Sequence, residues 1–227
     1  MLENGNDALS GLGHDQARLL ALYLQHEELR FDHIIVGCIP RQRETADLVL
    51  ASYPSCTVTT GELLCDERWN EFDLERVFDD VVPQLAADDD IFRNQYELLC
   101  LETGNSKLSV HRKWTAVHER VMSAWIEDRY PSRCESWCQF VARVKSAGSS
   151  FRRFGRHAKI AVFTSATPIA IWVSAAFGSE TPDHITALAT ASLTSSITVL
   201  RLRDTRMGLE SFNCIPHLVE PNMRVCR

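Results

Sequence analysis

Residues 159–177 read KIAVFTSATPIAIWVSAAF, and this stretch decides the fold. KIAVF (159–163) is apolar on successive residues and therefore on both faces, as a central strand of a parallel sheet must be. Residues 164–167 (TSAT) are small and polar and turn the chain. Pro168 stands where a helix can start, because its fixed φ suits a first turn and its missing N–H is not needed there. IAIWVSAAFG continues as that helix.

The same order recurs near the start. HIIVG (33–37) is a short apolar run, Pro40 follows it, and RQRETADLVLASY has a helical pattern. Before it, Leu12, Ala17, Leu19, Leu20, Leu22 and Leu24 fall at helical spacing and predict a helix from about 15 to 28. CTVTT (56–60) is β-rich and predicts the next strand. Late runs ITVLRLRD and MGLESFN predict two strands, paired as a hairpin. Strand–helix alternation at both ends implies a mostly parallel sheet covered by helices. The expected fold is a three-layer α/β/α domain. Residues 1–227 are read as one domain, with a helical insertion at about 62–155. That insertion carries the acidic loop AADDD, a helix through VHRKWTAVHERVMSAWI and another over ESWCQFVARVKSA with Glu135 near its start. It closes on the polar, basic GSSFRRFGRHAK.

The 227 residues suffice for a buried core, and 45% hydrophobic with 24% charged residues is ordinary for a globular protein. A formal net charge of -6 argues against broad attraction to nucleic acid or an anionic membrane. No run of about 18 apolar residues predicts a spanning helix. MLENGNDALSG has neither the basic start nor the apolar centre of a secretory signal. The eight cysteines show no framework or zinc spacing. Cys134 and Cys138 would share one helix face with no second ligand pair, so the expectation is scattered reduced thiols and a cytoplasmic location.

In open α/β sheets, ligands collect at the carboxyl ends of strands. Two such ends carry anion-friendly residues here. Arg41 falls just past a strand, in the first turn of a helix, where a guanidinium can fork onto two phosphate oxygens with helix N–H groups helping. An arginine in a helix's first turn is nonetheless more often a solvated surface charge. Thr164, Ser165, Ala166 and Thr167 let an anion approach the backbone where a helix starts, though Ser or Thr before a helix is also an ordinary N-cap.

The combination is more specific. LSGLGHDQARLLALYL (9–24) is similar to an "LSxLGxxQAxxLxxxL" helix, and GCIPRQRETADLV to "SSPLxRAxxTAxxV". RWNEFD resembles "LNE", CESWCQFVARV resembles "ESxxxFxxRV", AVFTSATPIAIWV resembles "VVSHGxxI", and SFNCIPHL resembles "SFNDTxHL". Six motifs in order, over nearly all of residues 9–218, resemble the histidine phosphatase superfamily in its phosphoglycerate-mutase-like branch. The resemblance implies a phosphate-monoester hydrolase that needs no metal or dissociable cofactor. It puts Arg41 at the family's phosphate-binding arginine. Ser165 and Ala166 fall at the turn that completes the phosphate pocket, and Glu71 at the proton donor. Trp69 and Phe72 beside Glu71 are expected to exclude water from it. The expected partner is a small phosphorylated substrate or phosphate, with neither nucleic acid nor membrane; oligomeric state is not readable.

Two departures stand against the pattern. The family's nucleophile is a histidine in "RHG" at the end of a first strand, and only MLENGNDA precedes LSGLG. Ser165 stands where a second family histidine would be; a hydroxyl donates a hydrogen bond but carries no charge. A TSGG-like version of this turn also occurs in the family, so the second departure is the milder. The other histidines do not replace the nucleophile on position. His157 and His33 precede or begin strands. His14 reads as a polar residue at a helix start, His111 and His118 as a solvated helix face, and His217 as a packing or capping group. The chain is accordingly expected to be impaired as a phosphatase: a hydrolase whose first central strand is missing, or a non-catalytic phosphate-binding or interaction protein, as a pseudoenzyme or gene fragment. A missing central strand would leave sheet edges unpaired.

Overall fold

A computed structural model describes residues 7–56, 63–102, 107–203 and 206–225. In chain order these form α1 (Gly11–His26), β1 (His33–Val36), α2 (Pro40–Ser52), β2 (Leu63–Cys65), α3 (Leu74–Asp88), α4 (Asp90–Glu102) and α5 (Lys107–Ile126). There follow α6 (Trp137–Ser146), β3 (Ile160–Phe163), α7 (Ala166–Phe177), α8 (Pro182–Ala191), β4 (Ile197–Arg203) and β5 (Arg206–Cys214). Among the described residues two units result, one of Phe72–Ala142 and one of residues 7–71 and 143–225.

The second unit holds the sheet. β1 lies between β2 and β3, parallel to both. The register sets Ile34 beside Leu63 and Ala161, and Ile35 beside Leu64 and Val162. Because side chains alternate along a strand, this register sorts apolar residues onto two faces. On one face Ile34, Leu63, Ala161 and Phe163 pack with Leu20, Ala21 and Leu24 of α1 and Val49 of α2. On the other, Ile35, Leu64, Ile160 and Val162 pack with Trp69, Ala147, Phe151 and Trp172. Helix, sheet and helix make the three α/β/α layers. Ile34, Ile35 and Val36 are at most 4% exposed, and each such side chain stabilises by about 2 kcal/mol.

Ser10 caps α1 by accepting the Gly13 N–H at 3.1 Å, so the helix starts ahead of the predicted residue 15. α7 starts at Ala166, two residues before Pro168, and stops at Gly178, whose φ of 67° is left-handed. The late hairpin forms as predicted, antiparallel, with register shifts near Val199.

Several expectations change. KIAVF is read as a central strand, yet among the described residues β3 pairs only with β1. It forms an edge of its sheet, and all four of its residues are only half-buried. β4 and β5 pair with each other in a separate sheet. An apolar strand has the same sequence whether or not its second edge is paired, so composition could not reveal this. CTVTT is not the next strand where it can be seen. Cys56 ends a 3-10 turn, residues 57–60 lie outside the described residues, and LLC at 63–65 is the strand. Helical character begins at Leu74 rather than residue 62. GSSFRRFGRHAK is less polar in structure than in sequence, since Phe151 and Phe154 pack into the sheet's second face.

The other unit is helical. Phe72 packs against Trp125 and Phe140, with ring centroids 4.8 and 5.5 Å apart, and Trp137 meets Trp125 edge-on. α6 opens with a capping box. Ser136 Oγ accepts the Gln139 N–H while the Gln139 side chain accepts the Ser136 N–H. Cys134 precedes that helix, so Cys134 and Cys138 do not share a helical face. His118 is half-buried against Phe78 and Trp114, and burial pushes its pKa down, where a solvated face is the sequence expectation.

Candidate functional site at the carboxyl edge of the sheet

Three turns leave the carboxyl ends of the parallel strands. β1 runs through Gly37, Cys38 and Ile39 into α2. β2 runs through Asp66 and a 3-10 turn, Glu67–Trp69, to Asn70 and Glu71. β3 runs through Thr164 and Ser165 into α7. The turns are stitched together. Gly37 N–H donates to Phe163 C=O at 3.0 Å and Asp66 N–H to Val36 C=O at 2.9 Å. Cys38 N–H donates to Asn70 Oδ1, and Thr164 Oγ1 to Trp69 C=O at 2.6 Å.

Arg41 and Ser165 meet on this edge. Arg41 Nη2 donates to Ser165 Oγ at 3.3 Å. The same oxygen accepts from Gln42 Nε2 at 2.8 Å, and Gln42 Nε2 also donates to Trp69 C=O at 3.3 Å. Ser165 is therefore not an ordinary cap: it occupies the N-cap position of α7 but makes no side-chain capping bond. Thr45 Oγ1 returns to the Arg41 C=O at 2.7 Å and braces that turn of α2. Arg41 is not a solvated charge either. Its guanidinium pairs with the Asp7 carboxylate, and its N–H donates to the Asp7 C=O at 2.8 Å.

The helix N–H groups expected to assist Arg41 are already engaged. Pro40 has none, Arg41's is taken by Asp7, and those of Gln42 and Arg43 bond the Ile39 C=O at 3.1 and 3.2 Å. α2 thus contributes a side-chain cation and no main-chain cradle. At α7 the Thr167 N–H donates to Glu71 Oε2 at 3.2 Å. Glu71 accordingly lies beside Ala166 and Ser165, at the start of α7. Trp69, 4% exposed, stacks on Trp172 and packs within the sheet's core.

Cys38 and Cys65 form a disulfide, with Cα atoms 5.7 Å apart, which corrects the expectation of unpaired thiols throughout. The parallel register explains it: Val36 lies opposite Cys65, so Cys38 follows on the same edge. Asp66 and Arg68 pair closely, and the Arg68 hydrogen bond, against some burial, holds the Asp66 carboxyl below the usual carboxylate range. Arg143, inside the "ESxxxFxxRV"-like motif but given no role from sequence, donates to the C=O groups of Glu67, Arg68 and Asn70 at 2.9, 3.2 and 3.1 Å. It holds the turn that carries Glu71.

The histidines lie elsewhere. His33 stacks on Phe154 at the amino end of β1, and His157 is exposed in the turn before β3. His217 is buried, bonded through Nε2 to Ser195 Oγ at 3.0 Å, with its pKa pushed down by burial. His14 Nε2 is 3.6 Å from Glu44 Oε2. Among the described residues no cluster of three His, Cys, Asp or Glu side chains is arranged to hold a metal ion, and no helix is long and apolar enough to cross a membrane.

Gln42 is the residue that reading the sequence missed. A signal was present: Gln42, Ala46 and Val49 follow at i, i+4 and i+7, and all three are buried.

A parallel sheet covered by helices on both faces defines an α/β protein. The family model of the histidine phosphatase superfamily (branch 1) matches residues 100–215, just over half of the chain, and the chain belongs to that superfamily. No curated protein matches it in sequence. Its structure is similar to a mycobacterial glucosyl-3-phosphoglycerate phosphatase in complex with inorganic phosphate, with 16% identity, 92% of this chain and 89% of that chain covered, and a TM-score of 0.58. It is also similar to the alpha-ribazole phosphatase of Shigella flexneri (16% identity, 91% and 84% covered, TM-score 0.56). A third likeness is the phosphoglycerate mutase of Bacillus anthracis (16% identity, 93% and 84% covered, TM-score 0.56). At such identity the likeness speaks to the fold.

Proposed function

We propose that the chain is a phosphate-monoester domain of the histidine phosphatase type that grips a phosphoryl group at the carboxyl edge of its sheet. Arg41 is the cation of that grip, Ser165 and the Ala166 N–H complete the pocket, and Glu71 is the proton donor to a leaving oxygen. The observation that carries the reading is the approach of Arg41 to Ser165 Oγ, 3.3 Å across two separate strand–helix turns. A guanidinium beside a helix N-terminus suits phosphate oxygens by charge and by hydrogen-bond geometry. Because Arg41 pairs with Asp7, phosphate must displace that carboxylate or share its cation. The mycobacterial relative's bound phosphate supports a small phosphorylated ligand.

Ser165, where the family pattern has its second histidine, supplies a neutral donor to a group that gains negative charge during transfer. That favours a second reading, a domain that holds a phosphoryl group without breaking its ester. Hydrolysis of p-nitrophenyl phosphate by the chain and by Arg41→Ala tests the pair. The hydrolase reading expects turnover above the uncatalysed rate that Arg41→Ala removes; equal rates at the uncatalysed level would overturn it in favour of the second reading.

A further inference from the structure

A serine hydroxyl has one proton to donate and two lone pairs to accept with. Both lone pairs of Ser165 are used within the protein, by Gln42 Nε2 at 2.8 Å and Arg41 Nη2 at 3.3 Å. Among the described residues no acceptor takes the hydroxyl proton. Ser165 is 8% exposed and Gln42 3%, so bulk water is a poor outlet for it.

Gln42 turns its Nε2 toward both the Ser165 Oγ and the Trp69 C=O, a group that can only accept. Its Oε1 is buried without a partner and fills the space over Gly37, where a Cβ would come within 1.8 Å of it. The "SSPLxRAxxTAxxV" pattern has alanine at this position, so the amide belongs to this chain rather than to the pattern.

We propose that Gln42 is a positioning residue that makes Ser165 an obligate hydrogen-bond donor to the ligand. By this route the site selects an acceptor oxygen of an anion such as phosphate and rejects ligand groups that can only donate. The inference rests on the phosphate-binding reading of the same edge.

The test is titration of the full chain with inorganic phosphate by calorimetry, with folding of each variant followed by circular dichroism. Ser165→Ala and Gln42→Leu should each weaken phosphate binding about tenfold or more, the value of a hydrogen bond to a charged group. The double variant should be no weaker than either single one, because both remove the same bond. If Gln42→Leu does not fold, Gln42→Glu replaces it. Its carboxylate accepts the Ser165 proton and should abolish binding when Ser165 is present, with a smaller loss in the Ser165→Ala background. Wild-type affinity in Gln42→Leu or Gln42→Glu, or losses that multiply in a double variant, would overturn the proposal while Arg41→Ala still weakened binding. Phosphate binding indifferent to Arg41→Ala, or absent from the wild-type chain, would overturn the phosphate reading and this proposal together.

Discussion

The turn after β1 and the turn after β3 are built alike and equipped differently. Each leads from a parallel strand into a helix, and each has a proline within its helix's first three residues. After β1 the main chain is closed to a ligand, since the Arg41 N–H is bonded to Asp7 and those of Gln42 and Arg43 to Ile39. That turn works through side chains, with Arg41 as its charge and Gln42 as its brace. After β3 the N-cap serine leaves its capping role unfilled and spends its oxygen on the other turn. A strand–turn–helix unit therefore supplies a place for chemistry; the residues on either side of the turn decide whether cation or backbone does it.

The comparison breaks most directly at Arg41. Arg41→Ala should weaken inorganic phosphate binding about a hundredfold, since a desolvated guanidinium–phosphate fork is among the stronger hydrogen-bonded contacts; calorimetric titration reads it. Next comes Gly37→Ala, whose new Cβ would fall 1.8 Å from Gln42 Oε1. It should destabilise the fold by about 2–3 kcal/mol in urea denaturation, as overpacking does, and by much less in a Gln42→Ala background. Equal costs in both backgrounds would mean that Gln42 is not what fills the space above Gly37. A smaller effect is expected from Asp7→Asn. Removing the carboxylate that pairs with Arg41 should tighten phosphate binding about threefold, in keeping with a partly exposed ion pair.

The smallest expected effect concerns the turn after β2. Arg68 holds the Asp66 carboxyl below its ordinary range, so the pair's stabilisation is complete above the unfolded carboxylate pKa of about 3.9 and is lost as pH falls through the folded value. Arg68→Gln should cost about 0.5 kcal/mol at neutral pH, and the gap from wild type should close on acidification. A gap that stays constant down to pH 2 would assign Arg68's role to its bonds with Ser146 and Ser149 instead.

Much of this was legible in the residues. IAVF, its polar turn and the helix after it could be read because an apolar run, small hydroxyl residues and a proline each have a strong local meaning. Arg41 could be located just past a strand, in the first turn of a helix, because Pro40 marks where α2 begins. β2 could not, because LLC is three residues long and lacks the β-branched side chains that made CTVTT look like the strand. The edge position of β3 leaves no mark on composition. Asp7 and the Cys38–Cys65 pair depend on contacts across 34 and 27 residues of sequence. Gln42 stayed hidden for another reason: in RQRE an amide between charges reads as solvated, and only the spacing to Ala46 and Val49 places it inward.

The most direct test of the account is a crystal structure of the chain grown with inorganic phosphate. It should show the anion on the Arg41 guanidinium and Ser165 Oγ, within reach of the Ala166 N–H, with the Asp7 carboxylate displaced from Arg41. Phosphate bound away from Arg41 and Ser165, or an Asp7–Arg41 pair unchanged at saturating phosphate with no anion on this edge, would contradict it.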